Sequence, residues 1–235
     1  MAAPTIELYT NHLCPWAHRA HIALAELGLP FTEHIIDLET PRSPEYLAIN
    51  PRGLVPTLVY NGEIIPESGI VSQFLADAHP SRLAKASSEE GGALQRARIN
   101  FFADAFTSKV VPKAWAGLRA QTPEELEAVG RELVDAVVKE VEPLLANAAP
   151  FFGGSDRLTL AEVLTGSFVL RLVSFPEAGI ARADLWTLLE KEAPNFSRWA
   201  RATAAEKSVN HIYDATKVAE KMKKKFGVQP QEKKI

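Results

Sequence analysis

Cysteine is nearly absent: Cys14 is the only one in 235 residues. That excludes an internal disulfide framework, a Cys-rich zinc site and a CxxC redox pair. Long apolar runs are missing too. No stretch approaches the roughly 20 residues of a spanning helix, so no stable membrane insertion is expected. The N-terminus, MAAPTIELYT, has no basic start followed by an apolar run, so no secretory signal is expected and the setting reads as cytoplasmic. Basic side chains are scarce in the first third. Residues 1–80 hold Arg19, Arg42 and Arg52, no lysine, and nine acidic residues, a net of −6. The whole chain carries −3, too mild for nucleic acid to be the main partner. Lysines gather instead at the end, in KMKKKFGVQPQEKKI. With one aromatic and no repeat, that tail (221–235) reads as a solvated, frayed end rather than a lipid or RNA anchor.

What is present is an ordinary globular composition, 46% hydrophobic and 23% charged, at a length that suits two modest domains. TIELYT (5–10) alternates like a strand. CPWAHRAHIALAELGLP (14–30) spaces Ala17, Ala20, Leu24 and Leu27 as a helix, with Pro15 in its first turn and Gly28 at its stop. FTEHIIDL (31–38) is strand-like again, and Pro44–Ile49 has room for one short helix. LVPTLVY (54–60), Asn61-Gly62 and EII (63–65) spell a hairpin. SGIVSQFLADAHP (68–80) carries a helical apolar face. The order β-α-β-α-β-β-α defines an α/β first domain over residues 1–80.

After Pro80 comes a small-residue, charged linker (81–92), then helical periodicity alone. Helices are expected at about 93–118, 123–147, 159–174, 182–192 and 195–204, giving an all-α second domain over 93–220. Thr159-Leu-Ala-Glu162 is a capping-box pattern that starts the third.

Three elements of the first domain can carry chemistry. Cys14 lies at a strand-to-helix turn, where unpaired amides and the helix dipole stabilise an anion and so favour the nucleophilic thiolate. A free cysteine is also commonly buried and inert; the Pro-Trp that follows tilts the reading to a reactive one. Val55-Pro56-Thr57 opens the hairpin strand. Its proline suggests a cis bond or a tight turn that offers backbone groups to an extended peptide, although an edge-strand proline needs no ligand. Glu67-Ser68 precedes the helix at 69–78. Ser68 can cap it, and the amides there can hold a carboxylate. An activated thiol, a peptide-pairing edge and a carboxylate cradle together suit a small thiol peptide.

These residues resemble the glutathione transferase superfamily, whose first domain is thioredoxin-like and whose second is a helical bundle. Cys14-Pro15-Trp16-Ala17-His18-Arg19 resembles the cysteine motif of omega-class transferases and is also similar to that of glutathionyl-hydroquinone reductases. NPRGLVPTL (50–58) is similar to the family's cis-proline region and IIPES (64–68) to its γ-glutamyl site. The resemblance covers about residues 5–205. It implies that Cys14 forms a mixed disulfide with glutathione, that the Val55 backbone pairs with the cysteinyl part beside cis Pro56, and that Glu67 and Ser68 hold the γ-glutamyl end. Trp16 and Arg42 fall near where the family packs or salt-bridges the tripeptide. Glutathione is then the co-substrate, a small disulfide or electrophile the partner, and a twofold homodimer the assembly. Glu162 stands where the family usually has Asp, a departure expected to bear on folding rather than catalysis. Tyr9, near the position used by tyrosine-type transferases, reads as structural.

The second substrate's pocket is expected from domain two, among Phe101, Phe102, Phe106, Trp115, Phe168 and Phe175, with Phe106, Trp115 and Phe168 preferred. His12, His18 and His21 have no spaced carboxylate or thiolate partner besides Cys14, so no metal is expected. A lone cysteine cannot resolve its own mixed disulfide, which favours monothiol transfer completed by a second glutathione. Two other readings stay open. One is conjugation of glutathione to electrophiles in detoxification or biosynthesis. The other is a non-catalytic glutathione-binding or membrane-associating module resembling chloride intracellular channel proteins.

Overall fold

The computed structural model describes residues 3–227 apart from Arg82. Its first domain is a four-stranded sheet in the order β2-β1-β3-β4. The central strand β1 (Ile6–Thr10) pairs parallel to β2 (Thr32–Ile35) and antiparallel to β3 (Thr57–Tyr60). β3 continues through Asn61-Gly62, both at positive φ, into β4 (Glu63–Pro66). That is the conformation an Asn-Gly hairpin turn demands. Ile6, Leu8 and Thr10 alternate into the core, as a period of two requires.

Helices α1 (Pro15–Leu27), α2 (Pro44–Ile49) and α3 (Ser68–Ala78) complete the expected β-α-β-α-β-β-α order. Helix α1 begins on a proline and ends at Gly28, whose φ of +62° suits the left-handed cap. Its buried face includes His18, Arg19 and His21. Polar residues inside a helix core need partners: those of Arg19 and His21 come from outside the helix, whereas neither ring nitrogen of His18 has one among the described residues.

The second domain is helical: α4 (Gly92–Ala105), α5 (Val111–Gly117), α6 (Pro123–Ala136), α7 (Leu160–Glu177), α8 (Leu185–Glu192), α9 (Pro194–Ala205), α10 (Lys207–Asn210) and α11 (Ala215–Phe226). The expected continuous helices at 93–118 and 123–147 are each interrupted by a wider turn, at Phe106–Val110 and Val137–Val141. In each, the next residue's N–H reaches back five residues, Val111 to Phe106 and Glu142 to Val137. A proline follows at once, Pro112 or Pro143. Its ring crowds the carbonyl four residues back and it offers no donor, so the helix widens there.

Helix α7 is the axis of the molecule, with fourteen of its eighteen residues buried, as expected for a helix enclosed on all sides. Its capping box forms as the sequence predicts. α7 packs against α1, and one buried cluster runs from Ile6 and Leu8 through Ile22 and Leu24 to Val163, Phe168 and Trp199. The two domains thus share a core.

The basic tail differs from expectation. Residues 221–226 are the last turns of α11, not a frayed end, and they extend the helical domain past 220. Val218, Ala219 and Met222 bury against Leu118, Phe175 and Ile180, while Lys221 and Lys224 face Glu39 at 3.8 and 3.6 Å. This short apolar stripe is hidden in the sequence among lysines. The remainder of the tail, 228–235, lies outside the described residues. Among the described residues, no helix is long and apolar enough to cross a membrane.

Candidate active site

Cys14 is the N-cap residue of α1, half-buried, with extended backbone and no side-chain capping bond. Its own N–H donates to the Asn11 carbonyl at 3.0 Å, which closes the turn after β1. The sulfur therefore sits at the positive end of a thirteen-residue helix, beside amides that have no partner within it.

Behind this turn stands the second domain. Arg171 on α7 donates from Nη2 to the Leu13 carbonyl at 3.0 Å and from Nη1 to Ser167 at 2.7 Å. Ser167 Oγ donates to the Pro15 carbonyl at 2.8 Å. Residues on both sides of Cys14 are thus pinned from α7. Burial lowers Arg171 to about 10, while Tyr213 and Cys14 act in the opposite direction. Its guanidinium also lies over the Tyr213 ring.

The Val55–Pro56 bond is cis. The turn is braced by its own motif. The Tyr46 hydroxyl and Asn50 Nδ2 donate to the Leu54 carbonyl at 2.5 and 3.0 Å, and Asn50 Nδ2 also reaches Thr57 Oγ1 at 2.8 Å. Gly53 has φ +62°, and a Cβ there would meet the Arg42 side chain at 3.1 Å. Among the described residues, the Val55 N–H and C=O have no hydrogen-bond partner, which leaves both available to an extended ligand.

At the third element, Glu67 rather than Ser68 is the N-cap of α3, and its side chain does not cap. Glu67 holds φ +72°, an uncommon conformation for a non-glycine residue, of the kind that gathers at ligand clamps. Ser68 is buried inside the first turn, its Oγ accepting from Arg19 Nη1 at 3.3 Å. The α3 amides thus lack a side-chain cap. Sequence reasoning missed Arg52, whose Nη1 meets Glu67 Oε1 at 2.5 Å on the exposed rim.

Arg42 and Trp16 each have partners within the chain. Arg42 donates to the carbonyls of Gly53 (3.0 Å), Asp37 and Thr40 (both 2.7 Å), bracing the loop before α2. Trp16 turns to domain two, its ring edge-on to Phe168 at 4.8 Å with the Arg19 guanidinium 4.5 Å from its centroid. Arg19 is also a residue sequence reasoning left unassigned. Buried, and lowered to about 10 by that burial, it bonds the Leu164 carbonyl at 2.6 Å and so ties α1 to α7.

Phe106, Trp115 and Phe168 do converge. With Val110, Arg171 and Phe175 they line a small apolar cavity of about 20 Å³, room for about one water. The wide turn at 106–110 delivers two of these side chains. Phe102 instead packs in the core against Trp199, and Phe101 points to solvent, because α4 buries only one face. Tyr9 stacks between His34 and Tyr46 at 4.5 and 5.5 Å, a structural place.

The histidines separate. His18 is buried near Arg171, His21 and His211, and that burial first, then Arg171, hold it well below 6.5. His12 and His21 instead converge on Glu33 of β2, a carboxylate that the spacing along the chain does not announce.

Comparison with known proteins agrees with this geometry. Residues 13–78 match the family model described as glutathione S-transferase, N-terminal domain. The probable glutathione S-transferase GSTU1 of Oryza sativa subsp. indica is 30% identical over 225 residues, covering 92% of this chain and 94% of that one. Glutathione transferase omega-1 of Caenorhabditis elegans is 26% identical, covering 83% of this chain and 75% of its own. The crystal structure of rice GST1 in complex with glutathione superposes with a TM-score of 0.79 at 28% identity, over 97% of this chain and all of that one. Fold, motif placement and full-length similarity lead to one conclusion: the chain belongs to the glutathione transferase superfamily.

Proposed function

We propose that this transferase is omega-like and works as a cysteine-type thiol transferase, with Cys14 as nucleophile and glutathione as co-substrate. The observation that carries this is the placement of the sole cysteine at the uncapped N-terminus of α1. The Cys14 thiolate attacks the glutathionyl sulfur of a mixed disulfide, forming a Cys14–glutathione disulfide and releasing the partner as a thiolate. A second glutathione thiolate then attacks that sulfur, restoring the Cys14 thiolate and releasing glutathione disulfide. Dehydroascorbate and S-phenacyl-glutathione reduction are related reactions of the same thiol.

In this reading Val55 pairs through its free N–H and C=O with the cysteinyl part of glutathione, beside Pro56. The α3 amides at Glu67 and Ser68 receive the γ-glutamyl carboxylate. Arg52 on the rim adds positive charge to a domain that is otherwise acidic. The second substrate is taken where Phe106, Trp115 and Phe168 meet, a site that must open to admit it, because the closed cavity holds only about 20 Å³. Trp16 packs edge-on against Phe168 beside that site, and Arg42 holds the Val55 turn in shape. The assembly is a homodimer, which would cover apolar side chains left at solvent such as Leu94 and Phe101, and the setting is cytoplasmic.

The test is glutathione-dependent reduction of a small glutathione mixed disulfide by wild type and Cys14→Ser. Turnover that disappears in the variant supports the proposal. Absent turnover in the wild type, or turnover indifferent to the substitution, refutes it. A second reading, conjugation to electrophiles, is favoured by the 30% identity to the rice glutathione S-transferase. Conjugation of an aromatic halide that survives or increases in Cys14→Ser would favour it.

A further inference from the structure

We propose that His12, His21 and Glu33 form a binding site for a Zn²⁺-type divalent cation at the edge of the first domain. Three elements distant in sequence bring them together: His12 in the turn after β1, His21 on α1 and Glu33 on the edge strand β2. One nitrogen of each imidazole and one carboxylate oxygen lie within 4.8 Å of one another. Glu33 Oε1 stands between the two rings, 2.6 Å from His12 Nε2 and 3.4 Å from His21 Nε2.

Zinc–ligand bonds of about 2.0–2.1 Å in a tetrahedron put ligand atoms roughly 3.3 Å apart. The His21–Glu33 spacing already meets this. His12 and Glu33 are both partly exposed, so they can shift while His21 stays fixed in the core: their 2.6 Å gap opens to about 3.3 Å, and the His12–His21 separation, within 4.8 Å, closes toward the same value. Thr10 Oγ1, 2.9 Å from His21 Nε2, is the hydrogen bond that the cation would replace. Two imidazoles with one carboxylate select Zn²⁺, Co²⁺ or Ni²⁺ over Mg²⁺ or Ca²⁺, which prefer all-oxygen shells. The solvent side leaves a fourth position for water. His12 is two residues ahead of Cys14, so the cation would tie the Cys14 turn to both β2 and α1.

The experiment is titration of the untagged full chain with Zn²⁺ by calorimetry and with Co²⁺ by visible absorption, alongside His12→Ala, Glu33→Gln and Cys14→Ser. Both ligand variants alter half-exposed side chains, and circular dichroism without metal confirms their fold. Expected are one ion per chain, a tetrahedral Co²⁺ spectrum, and a Tm increase of about 5–10 °C at a hundredfold excess over Kd. Affinity should fall roughly 100-fold in His12→Ala and in Glu33→Gln and hold in Cys14→Ser. Absence of saturable binding overturns the proposal. So does affinity unchanged by either ligand variant, or binding lost with Cys14, which would place the metal on the thiol.

Discussion

Arg171 Nη2 donates to the carbonyl of Leu13, 158 residues earlier in the chain and one residue before Cys14. A fully buried cation on the central helix thereby holds the turn that carries the nucleophile. Arg171→Met should leave the Leu13 and Ser167 carbonyls short of a donor and cost about 2–4 kcal/mol of stability. It should also slow iodoacetamide alkylation of Cys14, because the turn loosens and a nearby positive charge is lost. Urea unfolding and alkylation rates at fixed pH test both. Unchanged alkylation would mean that Arg171 serves the core alone.

Arg52 and Glu67 behave differently because their pair is exposed. Surface pairs contribute about 0–1 kcal/mol, so Arg52→Ala should barely move the unfolding midpoint. If the α3 N-terminus receives the γ-glutamyl end, the same substitution should raise KM for glutathione several-fold with kcat largely kept. Steady-state kinetics with varied glutathione separates the two effects. A fall in kcat alone would argue against a binding role.

Glu162 is completely buried, and its carboxylate accepts four hydrogen bonds. They come from the Thr159 N–H (2.8 Å), the Thr159 hydroxyl (2.7 Å), the Phe152 N–H (2.8 Å) and Trp199 Nε1 (2.6 Å). Burial raises its pKa, and these donors oppose that rise. Glu162→Asp keeps the charge but withdraws the carboxylate by one methylene, enough to lose Trp199 or Phe152. The expected cost is about 1–3 kcal/mol per orphaned donor, with Cys14 chemistry intact in the folded fraction. Equal stability of the two proteins in urea would refute this account.

His18 sets a pH dependence whose sign follows from its burial. Burial first, then Arg171, lower its folded value well below 6.5, so only the unfolded chain takes up the proton near that pH. Stability is full above about 6.5 and declines as pH falls, by up to about 1.4 kcal/mol per pH unit for each such histidine. His21, lowered to about 3 chiefly by burial, acts in the same direction. Urea midpoints between about pH 7.5 and 5 should therefore drop on acidification, less steeply in His18→Gln. Parallel slopes in the two proteins would remove His18 from the explanation.

Local chemistry made much of this molecule legible in advance. Pro15 and Gly28 bracket α1, Asn61-Gly62 turns the hairpin, Thr159 and Glu162 cap α7, and Cys14 falls at a helix start. Each is a short-range rule, settled by dihedral preference or by a hydrogen bond spanning a few residues. The cis-proline motif and the order of the first domain belong to the same class. The full length of α11 did not, because its apolar stripe has meaning only against Leu118, Phe175 and Ile180.

Tertiary structure alone decided which long-range partners meet. Nothing in the spacing shows that Arg42 braces the Gly53 turn. Ser68 could cap α3, yet its hydroxyl accepts from Arg19. Arg171 and Leu13, or His12 and Glu33, are brought together only when α7 lies along α1 and β2 pairs with β1. A charged side chain reaches whichever buried carbonyl or carboxylate the packing presents to it. Packing is a property of the whole core, and sequence spacing carries no record of it.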